Sequence, residues 1–363
     1  MILIVIAMAD VIGVIFFGHL FLNNFSRGAF AVPGDFACFR AAGKLVATEV
    51  GGHAEDIAKV CEYTYPPPFL FLVRPLALLP APESFVVWTV AGLTAFIFAA
   101  RRVGVPLAAV ALAMVSPVSL YGLAIGQNGF FTSALLLLSL GCVEASPILA
   151  GLGAGALIIK PHLAMLLPVC FLAARNYTAF VVAAVTAGGM GLSSVLFFGP
   201  ATWVYFIYHE LAVAGTIMSR PWPFGQSIMV SPFVEAHSLG SDVPTAMLVQ
   251  GMATLAAAVL TWRLWRRRWT GNPLARLLAT LALAFLSVPH DCIYDLSAMA
   301  AVLAAYGMRD PRYGLEIFAA FCLLMAVYAL LSFFTFSTGA MFLVVVAAYG
   351  ASEARLQFAN STT

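Results

Sequence analysis

Leu274–Gly307 reads LARLLATLALAFLSVPHDCIYDLSAMAAVLAAYG and sets the pattern for the rest of the chain. Two apolar arms, 274–288 and 293–307, meet at a turn carrying Pro289, His290, Asp291, Tyr294 and Asp295. Polar groups near membrane depth are costly, so they face a cavity or one another. The same design recurs twice upstream. Arms 104–122 and 127–143 flank Gly126, Gln127, Asn128 and Gly129, and the shorter arms 147–159 and 163–174 flank Lys160, Pro161 and His162.

Single apolar segments surround these hairpins at 2–21, 84–100, 177–198, 245–263, 315–333 and 336–351, each near the roughly 20 residues that cross a bilayer. Of 363 residues, 62% are hydrophobic and 9% charged, against about 25% charged in a soluble domain. The expectation is an all-α polytopic integral membrane protein of about twelve transmembrane or re-entrant helices, forming a single membrane-embedded domain over residues 1–363. Met1–Asn23 has no basic leader or small-residue cleavage site and reads as a retained first helix. A net charge of +2 argues against a polyanionic partner, so no nucleic acid is expected.

Basic residues mark the cytoplasmic side of a membrane protein. With the amino terminus inside, Arg101, Arg102, Arg175, Arg263, Arg266, Arg267, Arg268, Arg276, Arg309, Arg312 and Arg355 share the inner connections. The hairpin turns then fall outside with two long loops, residues 22–83 and 199–244. The first loop is expected to hold a short helix from Asp35 to about Thr48, with Phe36, Phe39 and Val46 near one face, then a Pro-broken apolar stretch from Phe69 to Leu79 that suits the interface plane. Cys38 and Cys61 share this loop, where a disulfide is open to them if it faces an oxidising compartment. Membrane lipids are the remaining expected contacts, with Arg263–Trp269 as a basic-aromatic edge.

The outer turns hold the candidate chemistry, and each has a plainer reading. Asp35 opens an amphipathic segment, where it serves either as an N-terminal cap or as a reactive carboxylate. In the 289–295 turn, His290 and Tyr294, or Asp291 and Asp295, stand one helical turn apart if the second arm begins there. The plainer reading has Asp291 capping free amides. With no DxD and no third carboxylate, neither a metal nor any other cofactor is expected. Lys160 sits at a short hairpin tip, where it either needs a counter-anion such as phosphate or snorkels to the interface. Gln127 and Asn128, and Gln226 after Arg220, are turn formers by default. Together with Tyr65 and Tyr294, they also supply what a sugar-binding surface uses.

Taken in order, Gly34-Asp35-Phe36 with Ala41-Ala42, Tyr65-Pro66-Pro67-Pro68 with Arg74-Pro75-Leu76, Gly126-Gln127-Asn128, Lys160-Pro161-His162, Gln226-Ser227 and Pro289-His290 with Tyr294-Asp295 resemble glycosyltransferase family eighty-seven. These are polyprenyl-phosphate-sugar-dependent mannosyltransferases of the GT-C type. The resemblance implies inverting hexosyl transfer at the outer face of the plasma (inner) membrane, from a polyprenyl-phosphate-linked donor to a lipid or glycan acceptor. By position it implies Asp35 as base and His290 as its catalytic companion. Phe39 and Arg40 depart from the tyrosine common in the family.

In this reading the leaving phosphate is met by His290, Lys160, His162, Arg220 and Arg40, because fixed cations stabilise charge that grows as the bond breaks. Tyr65, Gln127, Asn128, Gln226, Tyr294, Asp291 and Asp295 bind the sugar or the acceptor. Asp35 and His290 should then converge in one outward cavity. The rival is a transporter or flippase of a lipid-linked sugar, which would place ionisable groups near the midplane and extend a polar path to the arginine face.

Overall fold

The computed structural model describes residues 32–48, 63–220, 228–266, 269–309, 314–331 and 337–360. The first apolar segment, with Asp10 and His19, lies outside them, as do Cys61, Gln226 and Ser227. The regular elements described are helical, with one isolated antiparallel bridge between Met229 and Cys292. Helix α1 is Gly34–Thr48, at the limits the sequence suggests, and Phe36, Phe39 and Val46 are all buried. A 3₁₀ turn, Pro67–Phe69, leads into α2, Leu70–Leu76. The backbone of α1 meets that of α2 where Gly43 presses on the Val73 carbonyl.

Helix α3 (Ala81–Arg102) precedes the first hairpin. The arm expected at 104–122 is two helices, α4 (Leu107–Met114) and α5 (Pro117–Ile125), bent by 56°. Pro117 explains the break, because a residue before proline is pushed out of the α region and Ser116 is extended at ψ 151°. Next come α6 (Gly129–Gly141), α7 (Pro147–Ala156), α8 (Leu167–Ala173) and α9 (Tyr177–Phe198). Between α7 and α8 the chain runs through two 3₁₀ turns on either side of Lys160.

Much of the stretch 199–244, expected as the second outer loop, is helix: α10 (Pro200–Ser219) and α11 (Pro232–Ser238). His209 and Glu210 interrupt the apolar run of α10, which hides it from a hydropathy reading. The remaining helices are α12 (Val243–Trp265), α13 (Pro273–Leu286), α14 (Ser297–Gly307), α15 (Gly314–Leu331) and α16 (Gly339–Asn360). Among the described residues α3, α9 and α12 are long and apolar enough to cross a membrane, and the bent pair α4–α5 makes a fourth candidate. The other apolar helical stretches among the described residues run 10–17 residues, so three or four of the expected twelve transmembrane or re-entrant helices qualify as full spans on length and composition.

Arms α13 and α14 are buried along their whole lengths from Leu274 and Ser297 onward. A helix that is apolar all round belongs in a core, and this hairpin sits at the centre of one. Contacts between connections gather at the two ends of the bundle. At one end Arg102 bonds Ser146 (2.6 Å), Asn176 bonds the Val143 carbonyl (2.5 Å), and Arg276 pairs with Glu144 (2.9 Å) while stacking on Trp265. At the other end Ser231 Oγ donates to the Pro289 carbonyl (2.8 Å), and the amides of Val230 and Ile293 close the bridge between the 228–230 and 291–293 strips. The candidate residues lie at this second end.

Candidate active site

The site is built from turns that pack on one another through small residues. Gly126 ends α5 with φ at 77°, the left-handed region where glycine carries no Cβ penalty. A Cβ there would also stand 2.6 Å from the Phe36 Cβ. The turn therefore fits against the start of α1 and brings Gln127 to Asp35. Gly129 faces the Tyr294 carbonyl at a separation no side chain would permit, seating the same turn on the 293–296 segment.

Two polar groups result. In the first, Gln127 Nε2 donates to Asp35 Oδ2 (2.8 Å), and Tyr65 donates its hydroxyl to Gln127 Oε1 (2.9 Å). The Tyr65 ring stacks on Phe69 at 4.4 Å and meets Phe39 edge-on at 5.1 Å, which fixes the direction of its hydroxyl. In the second, Lys160 Nζ donates to Asp295 Oδ2 (2.6 Å) and lies 4.6 Å over the Tyr294 ring, while Thr132 donates to Asp295 Oδ1 (3.0 Å). Lys160 and Asp295 are buried, which rules out the snorkelling alternative. The counter-anion of Lys160 is a carboxylate of the chain itself.

Electrostatics join the two groups. Burial raises the Asp35 carboxyl above its ordinary range, and the Gln127 bond and the Lys160 charge pull it part of the way back. A carboxylate short of solvation is a stronger base than one in water.

His162 and His290 stand edge to face with ring centroids 6.2 Å apart, and His162 Nε2 is buried without a partner. Burial and then the Lys160 charge lower the pKa of His290, against the pull of Asp295. That shift favours the neutral imidazole of His290 over its charged form. Asp291 is fully buried with both carboxylate oxygens unpartnered, so the capping alternative fails for it. Burial, then the Asp295 charge, push its pKa well above the usual carboxylate range. Cys292 is extended and the 3₁₀ turn Ile293–Leu296 begins only after it, so His290 and Asp291 lie outside the turn that holds Tyr294 and Asp295, and the four-residue pairs do not share a helical face. The buried Asn128 amide also lacks a partner at both polar atoms.

Two expected cations stand differently. Arg40, five residues after Asp35, projects about 140° around α1 from it and donates to the Leu79 carbonyl (2.6 Å). Arg220 is exposed at the end of α10, its carbonyl accepting from His237 (3.1 Å). Thr132 was not singled out from the sequence. Its signal is its position, one turn after Asn128 on the helix that leaves the glutamine turn. Cys38 is disulfide-bonded, and Cys142, Cys170, Cys292 and Cys322 are free.

Apolar helices enclosing an acid, an amide, a buried ion pair and two imidazoles at one end suit a membrane transferase acting on polar groups. A family model described as glycosyltransferase family 87 matches residues 63–289, more than half of the chain. This protein belongs to that family and is a membrane glycosyltransferase. No curated protein and no solved structure matches it.

Proposed function

We propose that the protein moves a hexose, mannose in the first instance, from a polyprenyl-phosphate donor to a lipid or glycan acceptor with inversion. The reaction takes place at the extracytoplasmic face of the plasma membrane. The observation that carries this is the Asp35 carboxylate, held by Gln127 on one side and within the field of Lys160 on the other. A base and a cation in one small space suit a reaction in which a proton leaves the acceptor while phosphate gains charge.

Asp35 takes the acceptor hydroxyl proton as that oxygen bonds to the anomeric carbon. The bond from that carbon to the phosphate oxygen breaks, and its electron pair leaves with the polyprenyl phosphate. General base assistance of this kind contributes roughly 10²- to 10⁴-fold. Lys160 meets the developing phosphate charge, and His162 and His290 offer neutral N–H groups to it. Tyr65, Gln127, Asn128 and Tyr294 orient hydroxyls. Arg40 and Arg220 stay in this reading as outer cations that steer the donor.

The transport reading has less support. Buried charged side chains among the described residues are Lys160, Arg276, Asp291 and Asp295, and Arg276 lies at the opposite end. Just inside the polar tip, Ser119 and Ser297 bond each other (2.8 Å) and carry no charge. The direct test supplies purified protein with labelled polyprenyl-phosphate hexoses, nucleotide hexoses and a lipid acceptor extract. Product from the lipid-phosphate donors alone is expected. Product from nucleotide donors alone would refute the donor assignment.

A further inference from the structure

A groove of about 1220 Å³ runs between α11, α12, α13 and α16 and shares no lining residue with the candidate site. Its walls are apolar and lined by small residues, among them Ala253, Ala256 and Ala347. Leu260, Met341 and Val344 on its lining are exposed, so it opens sideways. Its two ends differ in charge. One holds Glu235, whose carboxylate accepts from the Met341 amide (3.0 Å). The other holds Arg263 and Arg266, both exposed and without a hydrogen-bond or ion-pair partner among the described residues, beside Trp269.

We infer that this groove binds one anionic phospholipid, its phosphate on Arg263 and Arg266 and an acyl chain along the alanine wall of α12. Three observations support that occupant. Along α12 the lining runs from Val249 to Arg263, about 21 Å at 1.5 Å per residue, longer than the roughly 15 Å of one leaflet's hydrocarbon. Two exposed guanidiniums at the mouth of an apolar groove match a phosphate, which each can grip bidentately. A carboxylate at the far end repels one there, which argues against a polyprenyl phosphate entering from the site's own side. Basic residues assign the arginine end to the cytoplasmic leaflet. The lipid would brace α12 against α16 from the leaflet opposite the candidate site.

The test uses the full chain in detergent, with native mass spectrometry and thermal unfolding. Phosphatidylglycerol, phosphatidylcholine and polyprenyl phosphate are added separately. Phosphatidylglycerol should bind about 20- to 30-fold more tightly than phosphatidylcholine, from two arginine contacts at the surface. Arg263→Gln/Arg266→Gln should abolish that preference while still binding both lipids weakly, and Arg263→Lys/Arg266→Lys should keep it. Ala256→Phe should weaken both phospholipids. Equal binding of the two phospholipids by the wild type overturns the inference, as does polyprenyl-phosphate binding that Arg263→Gln/Arg266→Gln abolishes, since binding that survives that variant belongs to the candidate site. Retained selectivity in the glutamine variant also overturns it, and the lysine variant distinguishes lost charge from lost folding.

Discussion

Asp35 acts as a base only if its carboxylate is both aimed and short of water, and Gln127 governs the aim. A hydrogen bond to a charged group contributes about 1.5–3 kcal/mol. Gln127→Leu should therefore lower kcat/KM by roughly 10- to 100-fold and move the acid limb of the pH–rate profile upward, because the bond that lowers the Asp35 pKa is gone. In the wild type, activity should fall as pH drops through the raised Asp35 value. Asp291 acts on stability instead. Unfolded, it ionises above its ordinary pKa, while the folded protein keeps its proton to higher pH, so in that window the native state binds more protons and stability falls as pH rises. Asp291→Asn should flatten that fall and raise the melting temperature at neutral pH. The residue types were legible in the sequence: Asp35, Tyr65, Gln127, Lys160 and Asp295 all lie in bonded groups at one end. Their partners were not, because the Lys160 and Asp295 bond spans 135 positions and no local pattern encodes it.

Helix ends and turns set the geometry at the next scale. Gly126→Ala places a side chain in a left-handed conformation and against Phe36, so it should cost about 1–3 kcal/mol and also reduce transfer by displacing Gln127. The ion pair between two hairpin tips is the larger lever. Breaking a buried pair by removing one partner costs about 3–5 kcal/mol, while replacing both is far milder. Lys160→Met and Asp295→Leu should each lower the unfolding midpoint strongly, and the double variant should recover much of the loss in thermal unfolding. α1 and the hairpin arms were readable from apolar length and turn residues. α10 was not, because two polar residues broke its apolar run, and the α4–α5 break was hidden inside a continuous apolar stretch although Pro117 marks it.

At the scale of the molecule, the alternation of polar turns with arginine connections appears as two ends, each with its own bonds between connections. The central hairpin α13–α14 carries the polar tip to one end and Arg276 to the other. That division was visible in the sequence because hairpins preserve sidedness whether or not their arms cross. How the tips interlock depends on packing through Gly126 and Gly129, which sequence spacing does not report. Asp35 as the base of a lipid-phosphate-dependent transfer is open to a single kinetic comparison. Purified wild type and Asp35→Asn are supplied with labelled polyprenyl-phosphate mannose and acceptor lipid, and single-turnover transfer is followed. The variant should lose at least about 10²-fold in the chemical step with donor binding retained. Transfer by Asp35→Asn at the wild-type rate would contradict it.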